Sequence, residues 1–145
     1  MLFGIHTLSL NHKNELTLPN ALRETMGGTV FLTRGFDRNL FIFSQEAFHT
    51  ISAHVRSTSI SDPMSRMLRR MFLGGATRTS LKDNGRLELP EDLRTFAGLE
   101  KEITLVGQGD YLELWSAPEW EKQLDGLNKP EANGQRFEKF NLPLD

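Results

Sequence analysis

Apolar and polar positions alternate along this chain in short runs, and turn formers separate the runs. Thr7 to Leu10 alternates, meets the cluster Asn11-His-Lys-Asn14, and the alternation resumes at Leu16-Thr17-Leu18. Two such runs around such a cluster predict a hairpin or a sharp reversal. Asn14 tolerates positive φ, and Gly85, after Asn84, holds the equivalent place in a second cluster. Pro19 suits the first turn of a helix, where its missing N–H costs nothing. A short helix is therefore expected over 19–26 with Leu22 inward. Its counterpart over 90–97 turns Leu93 and Phe96 inward and stops at Gly98. Val30-Phe-Leu32-Thr33 and Ile103-Thr-Leu105-Val106 read as strands. Each is followed by a glycine turn (Arg34-Gly35, Gly107-Gln-Gly109-Asp110) and a further strand, 40–43 and 112–115.

Between these stretches lies a helical connector. A helix is expected over 45–56, then a polar break at Ser57–Ser61, then a restart with Asp62 as N-cap and Pro63 as first helical residue. Met64, Met67, Leu68, Met71 and Phe72 share one face at helical spacing, and Arg66, Arg69 and Arg70 share another. A charged face of this kind reads first as a solvated one. Beyond Trp120 the chain carries Gly126, Asn128, Pro130, Asn133-Gly134 and Pro143, which predicts a loosely ordered tail of ~20 residues.

The pattern is written twice. Leu16-Thr-Leu-Pro19-Asn-Ala-Leu22-Arg23 returns seventy-one positions later as Leu87-Glu-Leu-Pro90-Glu-Asp-Leu93-Arg94. Gly4 matches Gly75, Ser9-Leu10 matches Ser80-Leu81, and Leu40-Phe-Ile-Phe-Ser44 matches Leu112-Glu-Leu-Trp-Ser116. Duplication explains this better than chance. The expected division is a first module over 1–48, a helical connector over 49–71, a second module over 72–124 and a tail over 125–145. Each module reads β-turn-β-helix-β-turn-β. Phe48, Trp115 and Trp120 read as core or interface aromatics.

Composition adds less. The 145 residues contain 38% hydrophobic positions, no cysteine and no run long and apolar enough for a membrane span. No thiolate metal site or disulfide framework is expected. Without a basic-then-apolar leader at Met1–His6, a soluble, cytoplasmic protein is expected. The net charge is −2, but residues 1–71 hold eight basic against five acidic groups and 72–145 nine against fourteen. Such asymmetry can mark a basic face.

Met1-Leu-Phe-Gly4, the repeated Leu-x-Leu-Pro-x-x-Leu-Arg, Arg69-Arg-Met-Phe-Leu-Gly-Gly-Ala76, Lys101-Glu-Ile-Thr-Leu-Val-Gly-Gln108 and Leu112-Glu-Leu-Trp115 closely resemble the MraZ proteins of bacteria over residues 1–124. The resemblance implies an α+β fold of two pseudo-repeated AbrB-like swapped-hairpin (double-split) β-barrel modules with short helices. It implies a sequence-specific transcriptional regulator of its own promoter and the division and cell-wall gene cluster. Such a protein is nucleoid-associated and assembles as a ring homo-oligomer on tandem short boxes of double-stranded DNA, with no cofactor. Recognition in the family uses the turn ahead of each Leu-x-Leu-Pro, with the pattern Asp-x-x-x-Arg.

Here the first copy reads Asn11-His-Lys-Asn-Glu15 and the second Lys82-Asp-Asn-Gly-Arg86. Arg86 keeps its family place and can fork onto a guanine edge or a phosphate. Lys13 suits phosphate, and Asn14 can serve either its turn or an adenine. The expected DNA-binding residues are thus Lys13, Arg86, His12, Asn14, Lys82 and Asn84. Glu15 is the misfit: it repels phosphate, although it could accept from cytosine N4. Glu15 and Lys82 motivate an alternative, an assembly module of this fold without specific DNA binding. Arg23 and Arg94, repeated with their helices, read as structural.

Enzymatic constellations are missing from the sequence. His6, His12, His49 and His54 form no H-x-x-x-H pair, and there is no Gly-x-Ser-x-Gly. Glu91-Asp92 sit at a helix start, where the dipole accounts for them. No catalytic and no metal-ligating residue is expected.

Overall fold

The computed structural model describes residues 1–144. The first unit comprises β1 (Ile5–Ser9), β2 (Glu15–Thr17), α1 (Asn20–Met26), β3 (Thr29–Arg34) and β4 (Leu40–Ser44). The connector is α2 (Gln45–Ser57), α3 (Pro63–Arg69) and a π-helical turn, Arg70–Gly74. The second unit repeats the order as β5 (Thr77–Ser80), β6 (Arg86–Glu88), α4 (Glu91–Ala97), β7 (Glu102–Gly107) and β8 (Leu112–Ser116). α5 (Ala117–Leu127), α6 (Pro130–Phe137) and a short 3₁₀ turn follow, and no side chain of α6 is buried.

The two units are interleaved. Six strands form one antiparallel sheet in the order β1-β7-β8-β4-β3-β5, while β2 and β6 pair separately as a two-stranded ribbon. Each unit keeps its own hairpin, β3–β4 or β7–β8, but its first strand lies on the hairpin of the other unit. Exchanging each strand for its counterpart reproduces the sheet order from the opposite edge, so the units are related by a pseudo-twofold axis between β4 and β8. This is an α+β chain of two pseudo-repeated modules with exchanged strands.

One core serves both units. Leu16, Leu18, Leu22, Leu32 and Ile42 of the first unit and Leu87, Leu89, Leu93, Leu105 and Leu114 of the second are buried in a single cluster. Strand alternation decides which side each residue serves. Leu40 and Ile42 of β4 enter that core, while Phe41 and Phe43 point the other way and pack with Phe48, Val55 and Phe72. Val106, Trp115 and Trp120 form a smaller cluster beneath α5.

Local expectations within residues 1–124 are met with three adjustments. The chain does reverse over 11–14, with Asn11 N–H donating to Glu15 O at 3.0 Å. However, β1 and β2 do not pair as a hairpin: β1 joins β7 and β2 joins β6. Pro19 keeps extended backbone, ψ 143°, continuing the path of β2, so α1 begins one residue later than predicted. The apolar face of α3 divides. Phe72 is buried and Leu68 and Met71 pack beside it, but Met64 and Met67 remain exposed.

Asp62 does cap α3, its carboxylate accepting from Met64 N–H at 2.9 Å. Gly98 ends α4 in the left-handed conformation. Among the described residues no helix is long and apolar enough to cross a membrane.

Candidate nucleic-acid interface

The ribbon of β2 and β6 carries both turns. Its register sets Glu15 opposite Glu88, Leu16 opposite Leu87 and Thr17 opposite Arg86. Alternation sends the two leucines into the core and leaves Thr17, Arg86 and Glu88 exposed, while Glu15 is buried. The strands are antiparallel and each follows its own turn, so the turns stand at opposite ends of the ribbon. Each turn is bonded by the other unit: Leu18 N–H donates to Gly85 O at 2.9 Å and Leu89 N–H to Asn14 O at 3.2 Å.

Both turns close in the same way. Asn14 N–H donates to Asn11 O at 3.0 Å and Gly85 N–H to Lys82 O at 2.8 Å. The closing residues are left-handed, with φ 59° at Asn14 and φ 81° at Gly85, a conformation that asparagine and glycine adopt readily. Asparagine side chains brace the turns internally. Asn11 Oδ1 accepts from Lys13 N–H and Glu15 N–H, each at 2.9 Å, and Asn84 Oδ1 from Arg86 N–H at 3.1 Å.

The six expected contact residues therefore share one ribbon-and-turn surface. His12, Lys13 and Asn14 lie in the first turn, Lys82 and Asn84 in the second, and Arg86 opens β6. His12, Lys13, Lys82, Asn84 and Arg86 are exposed, while Asn14 is half-buried and its backbone serves the turn. Among the described residues Lys13 and Arg86 form no ion pair.

Glu15 behaves differently. It is 3% exposed, with Oε1 accepting from Asn11 Nδ2 at 2.9 Å and Oε2 from the Lys82 ammonium. The Lys82 bond first, and the Asn11 amide second, hold its carboxyl down from 4.5 to about 2, against the cost of burial. With both oxygens engaged it has none turned to a cytosine edge. The Asp-x-x-x-Arg pattern implied by the resemblance would place an acid at 82 and a base at 15; this chain carries Lys82 and Glu15 there, and the two are partners in space. Along the sequence nothing marks the two as partners except their opposite signs.

Other basic groups are engaged structurally. Arg23 Nε donates to Leu18 O at 2.8 Å and Arg94 Nε to Leu89 O at 3.2 Å, as their repetition with the helices suggested. Arg69 Nη2 donates to Arg56 O and Thr58 O, and Arg66 Nη1 to Ile60 O, closing the loop between α2 and α3. Arg34 lies over the Phe96 ring at 4.5 Å. The excess positive charge of the first half thus serves mainly the fold. Among the described residues no cluster of His, Asp and Glu is placed to hold a metal ion.

Fold and surface together define a class: a duplicated, strand-exchanged α+β chain presenting two braced turns with outward cations on one ribbon. The sequence model of the family described as "MraZ protein, putative antitoxin-like" matches residues 1–71 and again 72–139. The chain is 39% identical over 127 residues to the "Transcriptional regulator MraZ" of Thermomicrobium roseum, covering 88% of this chain and 89% of that one. It is 34% identical over 143 residues to the protein of that name in Paenarthrobacter aurescens, covering 99% and 98%. A third, from Alkaliphilus metalliredigens, is 31% identical over 128 residues, covering 88% and 90%. The chain belongs to the MraZ family.

Proposed function

We propose that the protein is a non-enzymatic, sequence-specific transcriptional regulator. It binds tandem short boxes of double-stranded DNA upstream of its own gene and the adjoining division and cell-wall genes, in the cytoplasm and at the nucleoid. The observation that carries this reading is the ribbon. It gathers Lys13, Lys82 and Arg86 on one exposed surface and, among the described residues, leaves Lys13 and Arg86 without an ion-pair partner. The regulator names of the relatives point the same way.

A single ribbon with a few cations binds weakly, and a ring of copies raises overall affinity by ~10²–10⁴ through linkage. Exposed Phe3 and Ile5 at edge strand β1, with Met64 and Met67 on α3, supply apolar surface for contact between copies. The alternative, an assembly module without specific binding, drew its support from Glu15 and Lys82; their pairing takes Glu15 off the contact surface.

Fluorescence anisotropy on DNA from upstream of the gene, beside a scrambled control and across a salt series, tests the reading. Preferential binding that weakens with salt is expected. Arg86→Ala should abolish that preference with the oligomer intact. Equal weak binding to both DNAs by an intact oligomer would favour the assembly module.

A further inference from the structure

We infer that Glu15 is a positioning residue for DNA recognition: it anchors the Lys82 ammonium diagonally across the ribbon, so that Lys82 takes over the cationic contact that position 15 itself does not make. The inference rests on the reading of the ribbon as a DNA-binding surface.

The geometry separates an anchor from a contact. Glu15 is buried and both its carboxylate oxygens are occupied, one by Asn11 of its own turn and one by Lys82 of the other. Lys82 remains 53% exposed, and an ammonium has three donors, of which Glu15 takes one. The lysine is therefore held at one point and open at the others. Its anchor is itself fixed, because Asn11 Oδ1 accepts from Glu15 N–H while Asn11 Nδ2 donates to the carboxylate.

Lysine on a free turn loses much rotamer freedom when it binds phosphate. Here that freedom is restricted beforehand. The remaining charged groups of the ribbon and its turns are Lys13, Asp83, Arg86 and Glu88, all exposed, so the buried acid is the one group that ties the two turns together by charge. The cation needed at this level of the ribbon has moved from one strand to the facing turn, and the acid has moved the other way.

Two accounts of Glu15 give opposite signs for Glu15→Gln. If Glu15 repels the phosphate backbone, removing its charge tightens binding. If it positions Lys82, the same change weakens binding.

The test is anisotropy on the upstream DNA for the full-length wild type, Glu15→Gln, Lys82→Ala and the double variant, each across a salt series, with oligomer size and thermal midpoint recorded for each. About tenfold weaker binding is expected for Glu15→Gln. Its salt slope should fall by about one, as for loss of a phosphate contact. The double variant should bind no worse than Lys82→Ala alone. Unchanged or tighter binding by Glu15→Gln, or additive losses in the double variant, would overturn the inference while leaving DNA binding intact. A wild type that does not prefer the upstream DNA would overturn the DNA-binding reading and this inference with it. Should Glu15→Gln fail to fold, Glu15→Asp, charged but one methylene shorter, should weaken binding with oligomer size unchanged; undiminished binding would overturn the inference.

Discussion

Arg23 of the first unit lies against Gly85 of the second so closely that a Cβ on Gly85 would stand 2.2 Å from Arg23 Nε. That nitrogen donates to Leu18 O, and Leu18 N–H donates to Gly85 O. One arginine thus braces the strand of its own unit and packs beneath the turn of the other. The glycine is required twice, for its left-handed φ of 81° and for the space.

Gly85→Ala should therefore lose about 1–3 kcal/mol of stability, combining left-handed strain with displacement of Arg23. Asn14→Gly, at the equivalent turn, should change stability by less than about 1 kcal/mol, because asparagine already tolerates that conformation. Urea unfolding of both variants is the measurement. Equal effects would show that Arg23 imposes nothing on the second turn.

The Glu15 carboxyl gives a pH dependence with a defined sign. A group whose folded pKa is lowered stabilises the fold fully above its unfolded value and loses that contribution as pH falls through its folded value. For Glu15 the loss runs from about 4.5 down to about 2. Glu15→Gln should lack this component, so its stability should fall less steeply with acid than that of the wild type. Urea midpoints measured across that window decide; parallel curves would mean that the Glu15–Lys82 pair is not coupled to folding.

Leu16 and Leu87 face each other across the ribbon, both fully buried. Truncating either to alanine should cost about 2–5 kcal/mol. Because the two share one packing site, the double variant should lose less than the sum. Strict additivity in chemical denaturation would argue against a single core shared by the units.

Thr33 joins the sheet to the connector: its buried hydroxyl donates to Phe72 O at 3.0 Å. Thr33→Val preserves the shape and leaves that carbonyl without this donor, at a cost of about 1–3 kcal/mol. Amide exchange should rise first over 70–76. Unchanged protection there would show that the π-helical turn is held by the packing of Phe72 alone.

Sequence by itself determined the local elements and the duplication. Left-handed closures at Asn14 and Gly85, the Asp62 cap, the Gly98 stop and the inward Leu22 and Leu93 all follow from constraints acting within a few residues. The repeat and the family were legible for the same reason, since both are patterns along the chain. Tertiary structure alone decided which strands pair. β1 has the same alternation whether it lies on its own hairpin or on β7, so no local signal separates exchanged from unexchanged modules. The same gap hid the site's central relationship. Glu15 and Lys82 are sixty-seven positions apart, and only the crossing of β2 and β6 turns two apparent losses of charge complementarity into one ion pair. Strand exchange is a property of the whole sheet and its shared core, where burial of both sets of leucines is achieved at once, and that energy is written in no single segment.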